Sequence, residues 1–202
     1  WYANGCSVLY AEQRGQEESD GEYMGFGLIE RYDCLEWLKW ANENGYVDIP
    51  ICLCGISMGA ATVLMAAGLE LPENVHGIMA DCGYTSPHAI WKHVVEENLH
   101  MPFVGISAAV ANDMCKKKIQ METMECRVPV LFIHGTDGRF VPIKMTYENY
   151  KACTAPKRLL VVPGAEHGMS YLIDKEAYEK AAKDFGKDFD GYIPKKSRKE
   201  KN

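Results

Sequence analysis

The sequence predicts an α/β domain, a mostly parallel sheet flanked by helices. Three observations carry that expectation. Apolar runs of strand length recur along the chain at 51–54, 75–80, 128–133 and 158–163. Segments with helical spacing lie between them. One run, Ile51-Cys52-Leu53-Cys54, passes through Gly55-Ile56-Ser57-Met58-Gly59 straight into Ala60-Ala61, which reads as strand, sharp turn and helix.

The elements follow in order. Residues 1–5 read as a helix end stopped by Asn4-Gly5, and 6–11 (Cys-Ser-Val-Leu-Tyr-Ala) as a strand. Residues 28–44 place Leu28, Ile29, Tyr32, Leu35, Trp37, Leu38 and Trp40 at amphipathic helical spacing, with the aromatic rings expected in the core. Glu30 near the start and Lys39 near the end suit the helix dipole. After the strand at 75–80 comes the loop Asp81-Cys82-Gly83-Tyr84-Thr85-Ser86-Pro87, where Asp81 reads as a loop cap. Two helices are expected at 87–99 and 105–120, an insertion spanning about 87–127 in which Met101, Phe103, Val104 and Ile106 read as helix core. Helices at 144–152 and 175–185 close the domain at about residue 190. A polar tail, 191–202, is expected to be disordered.

Composition bounds the function. The 202 residues suffice for one domain with a real core, and 47% hydrophobic with 25% charged residues is ordinary for a globular chain. A net charge of −6 is the wrong sign for nucleic acid or an anionic membrane. No apolar run is long enough to span a bilayer. Eight cysteines are scattered without a metal or redox spacing; Cys52 and Cys54 read as core thiols, and all eight as reduced thiols in a cytoplasmic protein. His88, His93 and His100 show no ligand pairing, so neither a metal nor another cofactor is expected.

The chemistry sits in three places. Gly-x-Ser-x-Gly on a strand–helix turn exposes the Ser57 hydroxyl as a nucleophile and aims the Met58 N–H at a developing oxyanion. A histidine between Gly164-Ala165-Glu166 and Gly168, His167, follows a strand end downstream of the serine. Between them, the strand at 128–133 leads into His134-Gly135-Thr136-Asp137-Gly138-Arg139-Phe140-Val141-Pro142. With these motifs the chain resembles the α/β-hydrolase family, and within it bacterial serine hydrolases of esterase type, from residue 6 to about 189.

The resemblance implies an acyl-enzyme route: Ser57 attacks, His167 moves the proton, a small ester or acyl compound is the substrate, and no cofactor takes part. It also implies a triad acid in the His-Gly-x-x-Asp loop, and counting along this chain that position is Gly138. Asp137, its neighbour, and Asp81, at the end of the preceding strand, are the alternative acids. The resemblance finds no counterpart for the first three strands, the first helix or a His-Gly oxyanion loop, so an N-terminally truncated sheet is expected, with a lid-like role for the insertion. These departures also fit a second expectation, a catalytically impaired chain whose open sheet edges pair with a second copy.

Overall fold

The computed structural model of the protein describes residues 1, 5–100 and 126–189. Four parallel strands form its sheet: β1 (Ile51–Ile56), β2 (Val75–Asp81), β3 (Val130–Gly135) and β4 (Lys157–Val162). Their order in space is their order in sequence, β1-β2-β3-β4. The ladders run in register, with Ile56 opposite Asp81, Asp81 opposite Ile133 and Gly135 opposite Val162. All four C-terminal ends, and the loops that follow them, therefore lie along one edge of the sheet, where ligands of open α/β sheets bind.

Helices cover the sheet because each connection between parallel neighbours must cross over. They are α1 (Glu30–Ala41), α2 (Met58–Ala66), α3 (Pro87–His93), α4 (Ile143–Ala152), the single turn α5 (Ser170–Ile173) and α6 (Lys175–Phe189). One core layer joins Ala60, Leu64, Ile78, Val130 and Phe132 between α2 and the strands; on the opposite face, Met79, Leu131 and Ile133 meet Ala182 and Phe185 of α6. β3 is buried along its whole length, since helices lie on both of its faces.

Three expectations are corrected. Residues 6–11 are not a strand: they join no ladder and lie exposed, Tyr10 at 82%, and an apolar run needs a pairing partner to become a strand. Cys52 and Cys54 are not core thiols. They are exposed, their Sγ atoms 3.9 Å apart. Trp37 and Trp40 are also outside the core, 39% and 44% exposed, and meet edge to face at 6.0 Å while Leu38 between them is buried. Glu30 stands in the first turn of α1, as the dipole favours. It is 2% exposed and accepts hydrogen bonds from Gly25 N and from Gly27 N (2.7 Å), tying the preceding loop onto α1.

The expected helix at 105–120, most of the insertion, Met101, Phe103, Val104 and Ile106, most of the helix end at 1–5 and the polar tail lie outside the described residues. Among the described residues, no helix is long and apolar enough to cross a membrane.

Candidate active site

Ser57 is the turn between β1 and α2. Its backbone, at φ 55° and ψ −115°, occupies a region that a residue with a Cβ rarely adopts. The turn persists because its surroundings over-determine it. Ser57 N donates to the Asp81 carbonyl at 2.8 Å, and Ala61 N to the Ser57 carbonyl at 3.0 Å. Gly55 makes the turn sterically feasible, since a Cβ there would lie 2.2 Å from the Gly59 carbonyl carbon. Gly59 itself faces open space. Of the two glycines flanking the serine, Gly55 alone yields room to a neighbouring backbone. Met58 opens α2, so its N–H has no acceptor within the helix and points out of the helix start beside the serine.

The histidine arrives from the far side of the sheet. β4 ends at Val162, and the loop after it is bound to the end of β3. Thr136 N donates to the Val162 carbonyl (3.0 Å), Asp137 N to the Ala165 carbonyl (2.9 Å) and Gly164 N to Thr136 Oγ1 (2.8 Å). Gly135 allows that approach, because a Cβ on it would sit 2.2 Å from the Ala165 oxygen. These contacts bring His167 Nε2 to 2.8 Å from Ser57 Oγ, across 110 residues of sequence. Phe140 lies beside the imidazole, ring centroids 5.3 Å apart. Burial holds His167 below its ordinary pKa, so the imidazole is neutral at pH 7 and able to accept a proton. Any reaction that uses this base is expected to keep its full rate into mild acid, its acid limb centred below the ordinary 6.5; a pH profile of Ser57 modification measures that midpoint.

Neither alternative acid reaches the imidazole. His167 Nδ1 is buried and has no hydrogen-bond partner among the described residues. Asp137 is exposed, and its Oδ1 accepts from Thr136 Oγ1 at 2.6 Å. Asp81 ends β2 buried, not as a loop cap; its Oδ1 accepts from Ser170 Oγ at 3.1 Å, and burial pushes its carboxyl up to about 6. Gly138 stands beside the histidine: a Cβ built on it would lie 3.6 Å from His167 N and 3.4 Å from His134 Nε2. Glu166 is exposed.

Two positioning residues were not recognised as such in the sequence. His134 is fully buried and pins the loop from inside: its Nε2–H donates to the Val141 carbonyl (3.0 Å), and Nδ1 accepts from Thr146 Oγ1 (2.6 Å). Ser170, also fully buried, fastens the segment after His167 to Asp81. A polar residue held by a partner many positions away has no local pattern to betray it. Among the described residues, no group of three His, Cys, Asp or Glu side chains is placed to hold a metal ion.

Known proteins share this fold. The model of the prolyl oligopeptidase family matches residues 1–188. The uncharacterized protein YqkD of Bacillus subtilis is 25% identical over 193 residues, covering 90% of this chain and 62% of that protein. The chain thus spans just under two thirds of that relative's length. Among solved structures, the Pyrococcus furiosus esterase Pf2001 superposes with a TM-score of 0.68 at 17% identity, over 88% of this chain and 69% of that one. A puromycin-hydrolyzing peptidase of Mycobacterium tuberculosis gives 0.60 at 16% identity, over 84% and 26%. An alpha-beta serine hydrolase homologue from Coxiella burnetii gives 0.55 at 18%, over 85% and 65%. At these identities the likeness is one of fold: a parallel sheet with flanking helices, of the α/β-hydrolase type.

Proposed function

The chain belongs to the prolyl oligopeptidase family, and from that premise we propose that it is a serine hydrolase of carboxylic esters. One observation carries the reading: a serine in a strained left-handed turn with its Oγ 2.8 Å from a neutral, half-buried imidazole. A serine hydroxyl is a weak nucleophile until a base takes its proton. Here Ser57 Oγ attacks the ester carbonyl as His167 Nε2 accepts that proton. The carbonyl oxygen, now negative, lies against the Met58 N–H. His167 returns the proton to the departing alcohol, leaving an acyl group on Ser57. Water then repeats the sequence and releases the acid.

Esters are favoured over amides by the state of the histidine. An alcohol leaves with less help from the general acid than an amine does. With Nδ1 unpartnered, the imidazolium is poorly stabilised. The same observation favours slow turnover over none, because triad hydrolases stripped of one member keep part of their catalysis.

The test is a fluorophosphonate probe followed by intact mass, with Ser57→Ala as control. A single adduct on the native chain and none on the variant is the expected outcome, accompanied by Ser57-dependent hydrolysis of p-nitrophenyl esters. A folded chain that takes up no probe removes the hydrolase reading.

A further inference from the structure

The helix α1 and the loop before it enclose a groove of about 630 Å³, a size that suits a small-molecule ligand. One wall comes from α1 and the turn after it, the other from residues 12–21. That loop is held in place by its own bonds. The Arg14 guanidinium donates to both carboxylate oxygens of Asp33. Gly15 N donates to the Asp20 carbonyl at 3.2 Å, and Gln13 Nε2 to Thr62 Oγ1 of α2 at 2.8 Å. None of the lining residues belongs to the serine–histidine pair.

Two kinds of chemistry meet in the groove. Trp37 and Trp40 both line it, with ring planes 76° apart, so they form a corner of two aromatic walls. Of all side chains, tryptophan offers a cation the most attractive ring face. Five carboxylates and two cations line the same groove. Both cations are committed, Arg14 to Asp33 and Lys39 to Glu36 at 4.0 Å. Glu12, Asp20 and Glu43 are left with no cationic partner among the described residues. An anion is repelled here, and a neutral ligand leaves three carboxylates unanswered. From Asp33 to Glu43 the helical wall runs ten residues, about 15 Å at the rise of an α-helix. One compact cation covers one end of such a wall. Positive charges spaced along a flexible apolar chain cover its length.

We propose that this groove binds an aliphatic polyamine, a linear chain of protonated amines joined by methylene spacers. The ammonium groups answer Glu12, Asp20 and Glu43, and the methylenes between them lie along the indoles of Trp37 and Trp40. Each exposed charge pair contributes little and is screened by salt, so affinity comes from several pairs acting with the aromatic corner.

The experiment titrates spermidine, a triamine, into the full chain at low salt, by calorimetry and by NMR of the indole N–H signals. The chain has four tryptophans, and Trp1 and Trp91 lie outside the groove lining. The expected result is saturable one-to-one binding that moves the Trp37 and Trp40 signals and leaves Trp91 in place. Trp40→Ala is expected to weaken binding on the order of 10-fold, and Glu43→Gln about 3-fold. Both side chains are exposed, so both variants keep the fold, which a thermal melt verifies. Glu176→Gln, an exposed carboxylate removed from α6, should change nothing. A net charge of −6 attracts any polyamine loosely. Unsaturable uptake, or an affinity indifferent to both groove substitutions, therefore overturns the proposal. Tetramethylammonium satisfies the indoles with a single charge and is expected to bind on the order of 10-fold more weakly. Equal affinity for it overturns the polyamine assignment.

Discussion

Gly138→Asp is expected to raise ester turnover by a factor on the order of 10²–10⁴. The reasoning runs from the imidazole outward. His167 already holds its proton-accepting nitrogen at bonding distance from Ser57 Oγ, so the first half of the relay is built. The second half needs a carboxylate at Nδ1, which fixes the tautomer and balances the charge that appears on the ring. The Cβ of a residue at 138 would lie 3.6 Å from the backbone N of His167, so an aspartate there starts beside that histidine. His134, bonded to the Val141 carbonyl and Thr146, keeps the loop in place when the side chain is added. The acid limb of the pH profile should also move upward, because the new charge favours the imidazolium. Steady-state kinetics beside Gly138→Asn separates charge from bulk. Equal rates in the two variants would mean that position 138 does not address Nδ1.

The second large effect is at the turn. Gly55→Ala is expected to abolish Ser57 labelling and to lower stability by at least ~3 kcal/mol, a fall of about 10 °C in melting temperature for a chain of this size. The added methyl would sit 2.2 Å from the Gly59 carbonyl carbon and 2.5 Å from Ala60 N, and those are backbone atoms with nowhere to go. β1 and α2 would have to separate, taking with them the Ser57 N bond to the Asp81 carbonyl. Gly59→Ala is the matched control. Its Cβ meets nothing within 4 Å, and alanine favours a helix over glycine by ~1 kcal/mol. Thermal melts and probe labelling of the two variants should therefore diverge sharply, although both substitutions add one methyl to the same pentapeptide.

That contrast shows what was legible beforehand. Gly55, Ser57 and the strand before them are written locally, because a tight turn constrains adjacent residues directly. The four strands were readable for the same reason, each being a short apolar run buried on the sheet. Residues 6–11 have the same local look and form no strand, since pairing depends on a neighbour that a run of sequence does not specify. Glu30 resembles any acidic residue in a first helical turn; only the fold of the Gly25–Gly27 loop over it makes it a buried acceptor. Trp37 and Trp40 follow the periodicity of an inward face, yet α1 rests on α2 through a narrower stripe and leaves them outside. His167 was found from its glycine-flanked loop, whereas the engagement of Asp81 by Ser170, 89 positions away, was beyond any spacing rule.

The matching of spatial and sequential strand order has a consequence for biosynthesis. Each strand of β1-β2-β3-β4 pairs with the one translated just before it, so the sheet can grow by addition as the chain leaves the ribosome. The nucleophile's turn needs only β1, α2 and the Asp81 carbonyl, and is complete early. His167 follows the last strand and docks onto a β3 edge already in place. A nascent chain therefore carries a formed but unarmed serine while β3 and β4 are made, and the base arrives only after them.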